Sequence, residues 1–267
     1  MASTILVKEA LWRVSVLLQD HAPQFIRWTE RELVDWLNDG QSVIATYLPS
    51  SAARRDAIRL QMGTRQSIEL IEAADCKPGD GSTPTDPVLG NALIAVHRNM
   101  GANGTTPGRA VRMVERRTLD AQTPDWHFAA SGKVVSQFMF DPQLPRYFDV
   151  TPPLSERTWV EVAFTAQPVR IPAGGAPGAE VYPVGITTGP GATARLSIGD
   201  ENLPDLVSYV VARAHLKQVA HADSSLAGAY SGAFLGSLNA RIAATTGVNP
   251  NLKLLPLAPS PPAQASR

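Results

Sequence analysis

Much of the usual chemical equipment is missing from this sequence. It has one cysteine, Cys76, in 267 residues, which excludes an internal disulfide and a cysteine-built metal cluster. A single thiol fits a reducing compartment, and nothing around Cys76 marks the low-pKa setting of a nucleophile. There is no excess of either charge, with 24 Lys and Arg against 24 Asp and Glu. Proteins that hold nucleic acid tightly draw much of their affinity from neutralising phosphates and are usually basic. The balance therefore argues against stable DNA binding, while leaving room for a wall that DNA slides past. No apolar run approaches the ~20 residues of a transmembrane helix. Residues 1–9 lack the basic-then-apolar order of a signal peptide. The expectation is a soluble protein, off the membrane, made in the cytoplasm.

What is present is enough to fold. Hydrophobic residues make up 44% of the chain, a normal share for a globular protein with a real core. Val7, Leu11, Val14 and Leu18 recur at helical spacing and predict an amphipathic helix that stops by His21-Ala22-Pro23. Thr29 and Glu32 have the spacing of a capping box. They open a second helix whose buried face is read as Leu33, Trp36, Leu37, Ile44, Tyr47 and Leu48. Pro49-Ser50 ends it, and Ser51 is a candidate cap for a further short helix through Arg54 and Arg55.

The period then changes to two. Ile58, Leu60 and Met62, then Gln66, Ile68 and Leu70, flank Gly63-Thr64 and read as a β-hairpin. Residues 77–91 read as a loop. Strands follow from Ala92 to Arg98 and from Arg109 to Arg116, joined by an Asn103-Gly104 turn. Three more run from Lys133 to Phe140, from Tyr147 to Val150 with Pro152-Pro153 as a stop, and from Thr158 to Phe164. The Gly/Pro-rich stretch 167–200 reads as a long loop with a short strand near Glu180 to Tyr182.

Helix returns near Pro204, with Leu203, Leu206, Val207, Val210, Val211 and Ala214 on one stripe. A last helix begins at Asp223 or Ser224 and turns Leu226, Tyr230, Phe234, Leu238 and Ile242 inward. Its small residues, among them Gly228, Gly232 and Ala233, form a candidate helix-packing interface. The tail from residue 249 has the composition of an extended arm. Its Leu252, Leu254, Leu255 and Leu257 are candidate docking residues. The fold class expected is α+β: a helical bundle from residues 1–56 and 201–248, an inserted antiparallel β domain at 57–200, and an extended arm at 249–267.

Candidate chemistry is sparse. Residues 101–108 are glycine-rich but lack the Lys-Ser/Thr and following helix of a phosphate loop. Asp120, Asp125 and His127 could ligate a metal and serve a hydrolase, though aspartates in such a stretch equally satisfy turn backbone. Gly228-Ala229-Tyr230-Ser231-Gly232 has its serine displaced from the centre of a nucleophile elbow. Glu32, Asp35 and Asp39 share one helix side and read as a solvated face. His97, His215 and His221 lie apart from any carboxylate pair. Trp126, Tyr147 and Trp159 could stack on carbohydrate, but with aromatics at only 6% they serve better as core. No catalytic set, cofactor loop or metal site is expected.

One set of motifs spans the chain: Arg27-Trp28-Thr29, Glu32-Leu33, Trp36-Leu37-Asn38-Asp39-Gly40-Gln41, Gly63-Thr64-Arg65-Gln66, Arg98-Asn99-Met100-Gly101, Pro107-Gly108-Arg109-Ala110, Leu119-Asp120, Pro124-Asp125-Trp126-His127 and Phe148-Asp149-Val150-Thr151-Pro152-Pro153. With these, residues 5–250 resemble the phage adaptor family, the adaptor or upper tail tube proteins of short-tailed phages. The resemblance implies a structural, non-enzymatic neck protein of the virion, made in the host bacterial cytoplasm. Copies would form a ring, of twelve, beneath the portal protein. The ring would extend the channel through which genomic DNA passes without sequence-specific binding, and would give a downstream tail nozzle or tube protein its platform. The helical domain would line the channel or pack between neighbours, and the tail would reach the portal. Another tail or baseplate component is the alternative within the same class. The chain departs from the family pattern between Ala73 and Leu89 and over 167–195.

Overall fold

The computed structural model describes residues 3–20, 27–81, 84, 86–171, 194–217 and 223–248, the last four of these as backbone. The chain is α+β and divides into two compact units, one of Ala52–Gln167 and one of Ala2–Ser51 with Pro168–Arg267. The arm residues Leu252, Leu254, Leu255 and Leu257, His21 to Pro23, His221 and the strand expected near Glu180 lie outside the described residues.

The second unit is helical. Helix α1 (Val7–Leu18) buries Val7, Leu11, Val14 and Leu18, the stripe read from spacing. It ends at Gln19, whose left-handed φ of 54° aims its N–H back at the last-turn carbonyls. Asp20 then accepts from the backbone N–H groups of Arg27 and Trp28. Helix α2 (Glu30–Tyr47) opens with the expected capping box, Thr29 and Glu32 each serving the other's backbone. Leu33, Leu37, Ile44 and Leu48 are buried, whereas Trp36 is half-buried and Tyr47 is exposed. Helix α4 (Leu203–Leu216), with Pro204 in its first turn, buries the whole expected stripe. It packs on α1, on α2 and on α5 (Ser224–Val248). Gly40 permits the α2–α4 approach, because a Cβ there would stand 2.6 Å from Leu206 Cδ1.

Two strands of non-helical chain enter this core through Ile171 and through Leu196 and Ile198. Both are held from α2. The Asn38 amide donates to Ile171 O and accepts from Ile171 N, at 3.1 and 2.8 Å. Gln41 Oε1 accepts from Ser197 N at 2.7 Å.

The first unit is two sheets over one shared core. The five-stranded sheet has the order β3 (Cys76–Pro78), β1 (Ala53–Arg59), β9 (Trp159–Ala166), β4 (Gly90–Met100), β5 (Pro107–Ala110). The four-stranded sheet has the order β2 (Gly63–Ser67), β8 (Tyr147–Leu154), β7 (Gln137–Phe140), β6 (Arg112–Met113). Only the β6–β7 pairing is parallel among these ladders. Val160, Val162 and Phe164 of β9 face the core with Phe148 and Val150 of β8, as aligned sheets require.

Four expectations are corrected here. Residues 58–70 are two strands but not a hairpin: β1 pairs with β9 and β3, and β2 pairs with β8. The buried Gln66 builds the corner between the sheets, bonding Gln61 N, Gln61 O and Gly63 O. No helix runs through Arg54 and Arg55; one short turn, Pro49–Ala52, leads straight into β1. The stretch from Arg109 to Arg116 breaks at Val111, whose N–H goes to His97 O, and Arg112 then changes sheets. It continues into a short helix, α3 (Arg116–Gln122), where a turn was read. Strand β8 runs through Pro152-Pro153, because the contact there, Gly132 N to Pro153 O, uses a proline carbonyl and needs no N–H. The turn at Asn103-Gly104 stands as read: Gly104 has φ 72°, and β4 and β5 pair across it.

Asn99 ties the two sheets together. It is buried, and its amide donates to Arg109 O and Val135 O and accepts from Val135 N, at 2.7–2.9 Å. Asn99→Ala leaves buried backbone groups unpaired at about 1–3 kcal/mol each. Urea denaturation should show a loss of about 2–4 kcal/mol; a loss under about 1 kcal/mol would mean the backbone finds other partners.

Candidate functional site

The residues that could carry chemistry are occupied structurally. Asp120 Oδ1 accepts from the Trp126 indole at 2.8 Å and lies 3.8 Å from the Arg116 guanidinium. Trp126 is buried with Leu119 and Met139 in a small satellite core. His127 stacks on Trp126 at 3.5 Å between centroids. Asp120, Asp125 and His127 do not converge: among the described residues no group of three His, Cys, Asp or Glu side chains is arranged to hold a metal. The glycine-rich loop is the β4–β5 turn, with Gly104 lying against the Trp159 ring.

On α2, Glu32 accepts from Lys217 at 2.7 Å, and Asp35 pairs with Arg170 at 3.1 Å. Burial alone would raise the Glu32 pKa, but Lys217 and the Thr29 cap outweigh it and hold it below the ordinary value. His97 sits in β4, where burial and the Arg55 charge lower its pKa. His215 meets Trp28 edge-on at 5.9 Å. Cys76 is buried beside Asp56, and burial with that carboxylate pushes its thiol up to about 12. That setting is the reverse of a reactive cysteine.

The distinctive surfaces are apolar. Helix α5 carries one charged side chain, Arg241, in 25 residues, and Arg241 turns in to Asp205 at 3.1 Å. Phe234, Leu238 and Ile242 are buried as expected, but Leu226 is exposed and Ala227 takes the inward position. Gly228 and Gly232 have nothing within 4 Å of where a Cβ would stand, and Ala233 is exposed. A helix apolar on all sides is usually covered on all sides.

A second apolar surface escaped the sequence reading. Trp12, Val16 and Leu17 of α1 are 53%, 45% and 46% exposed. They lie off the Val7–Leu18 stripe, and three large apolar residues on the far face were the available signal. In the β unit an open groove of about 690 Å³ runs between α3, β7 and β8, lined by Arg65, Arg116, Arg117, Phe140, Leu144 and Tyr147. Among the described residues no helix is long and apolar enough to cross a membrane.

The motif residues that carry the family resemblance are largely the framework just described: Trp28, Thr29, Glu32, Asn38, Gly40, Gln41, Gln66 and Asn99. A family model described as "SU10 adaptor protein" matches residues 7–252. No curated protein matches the chain.

Glu30, in the first turn of α2, gives a pH test of the helical unit. Its Oε1 is buried with no hydrogen-bond partner among the described residues, and burial pushes its pKa from 4.5 to about 7. A carboxyl whose folded pKa exceeds its unfolded one favours folding at low pH and loses that contribution as pH rises. Thermal melts of Glu30→Gln and the parent should therefore diverge between about pH 4.5 and 7, the variant gaining, with the gap level above that. A constant gap from pH 4 to 8 would contradict the assignment.

Proposed function

The chain belongs to the SU10 adaptor protein family, a family of phage adaptors, and from that premise we propose that it is the head-to-tail adaptor of a tailed phage. In this reading copies form a ring beneath the portal protein, extend the DNA channel and give the next tail protein its platform. The role is structural and the location is the virion neck. Twelve copies would match the usual ring of the family. DNA passes the ring without being read.

The observation that carries this reading is the match over residues 7–252, nearly the whole chain. Physical features support it. The zero net charge suits a channel wall that does not retain DNA. The uncharged outer face of α5, with Gly228, Gly232 and Ala233, offers a packing surface to a neighbour. The candidate catalytic residue Asp120 serves Trp126. Beyond the helical bundle, the leucines at 252, 254, 255 and 257 would dock the arm on the portal.

Sedimentation velocity of the purified chain, alone and with the portal ring of the same phage, tests the role. A fast complex with many copies per portal is expected. Deleting residues 249–267 should abolish that complex and leave the melting temperature unchanged. Undiminished docking by the truncated chain would remove the arm from the interface.

A further inference from the structure

The two unpartnered apolar surfaces of the helical unit have opposite relief. On α1, Trp12, Val16 and Leu17 are spaced four and five apart and form one ridge of large side chains. On α5, Gly228, Gly232 and Gly236 recur every fourth residue, and none has an atom within 4 Å of a would-be Cβ. They form a channel without side chains, flanked by Ala229, Ala233 and Leu235, roughly in the middle of a helix about 37 Å long. Three glycines inside a helix cost about 0.5–1 kcal/mol each against alanine. Nothing within the described unit makes use of their smallness. A close-approaching external partner would.

The partner's chemistry is constrained. The α5 face carries no charge from Ser225 to Ala240, so it calls for an apolar surface of similar length rather than an ionic one. The α1 ridge is such a surface, and every copy has one. Position matters as well. Helices α1 and α5 both pack on α4, and neither relies on the other for cover. One face is therefore available on either flank of α4. Two different, mutually complementary patches on one subunit generate a head-to-tail contact, which closes into a ring when the rotation allows; a patch that pairs with itself gives only a two-fold dimer.

We propose that neighbouring copies of this chain join by seating the Trp12–Val16–Leu17 ridge of α1 on one copy in the Gly228–Gly232–Gly236 channel of α5 on the next. This rests on the ring reading and names the surfaces that make the ring.

Cysteine cross-linking on the portal-assembled, full-length chain tests it. Cys76 is buried with a thiol pushed up to about 12, so it stays silent toward a short bismaleimide at neutral pH. Arg13→Cys, exposed beside the ridge, and Ala229→Cys, exposed beside the channel, act as reporters. The double variant should give a ladder of covalent multimers on a denaturing gel. Each single variant should give none, and an equal mixture of the two should stop at dimers. Adding Trp12→Glu to the double variant should erase the ladder. If sedimentation shows assembled rings but the double variant yields no ladder, the interface lies elsewhere and the pairing is wrong while the ring stands. Dimers from Ala229→Cys alone would show α5 meeting α5 and would also overturn it. If the parent chain never assembles with the portal, the ring reading itself fails, and the pairing with it.

Discussion

Four buried side-chain amides hold this fold where regular secondary structure does not. Asn38, Gln41, Gln66 and Asn99 are each less than a tenth exposed, and each spends its amide on the backbone of a segment that lacks a ladder or helix partner. An amide side chain presents the same donor and acceptor as a peptide group, so it can stand in for a missing strand. Backbone polar groups cannot be buried unpaired without a penalty of one to a few kcal/mol. Remove the amides, and the Val135 segment, the Gln61 corner and the chain at Ile171 and Ser197 could not enter a dry core. The sheets and helices around them are conventional; the amides let irregular chain join those elements.

This constraint also explains which parts of the structure could be read from the sequence. Elements whose cause is local were legible: the α1 stripe, the Thr29–Glu32 capping box, the turn at Gly104, the alternation of Val160, Val162 and Phe164 in β9. Choices made by distant partners were not. The periodicity at Ile58 and Ile68 identified two strands but could not say that a glutamine corner sends them to different sheets. The break at Val111 depends on His97 O and on a parallel partner at Gln137, neither visible near Arg112. The smallness of Gly228 and Gly232 was evident; that they face outward was not, because a helix apolar all round has no phase to read. The ridge on α1 was passed over because the buried stripe alone accounts for the helix.

The functional picture has the same division. Nothing in the described residues assembles a reactive centre: Asp120 is engaged by an indole, Cys76 is buried with a raised pKa, and the glycine-rich loop is a turn between strands. What distinguishes the molecule is surface that is finished on the inside and bare on the outside. In an adaptor that is the expected arrangement of effort. Specificity lies in shape and in uncharged contact area, and the family motifs sit mostly in the interior, because that interior sets where the outer faces point.

The anchoring of Ile171 and Ser197 by α2 has a wider consequence. Both feet of the intervening segment are fixed by side chains that belong to a helix, not by anything the segment itself supplies. Its composition can therefore drift without disturbing how the helices assemble. A lineage could retune what such a segment meets on a neighbouring protein, lengthening or rewriting it, while the rest of the molecule folds as before. The clamps on α2 separate the part of the protein under selection for shape from a part free to follow its partners.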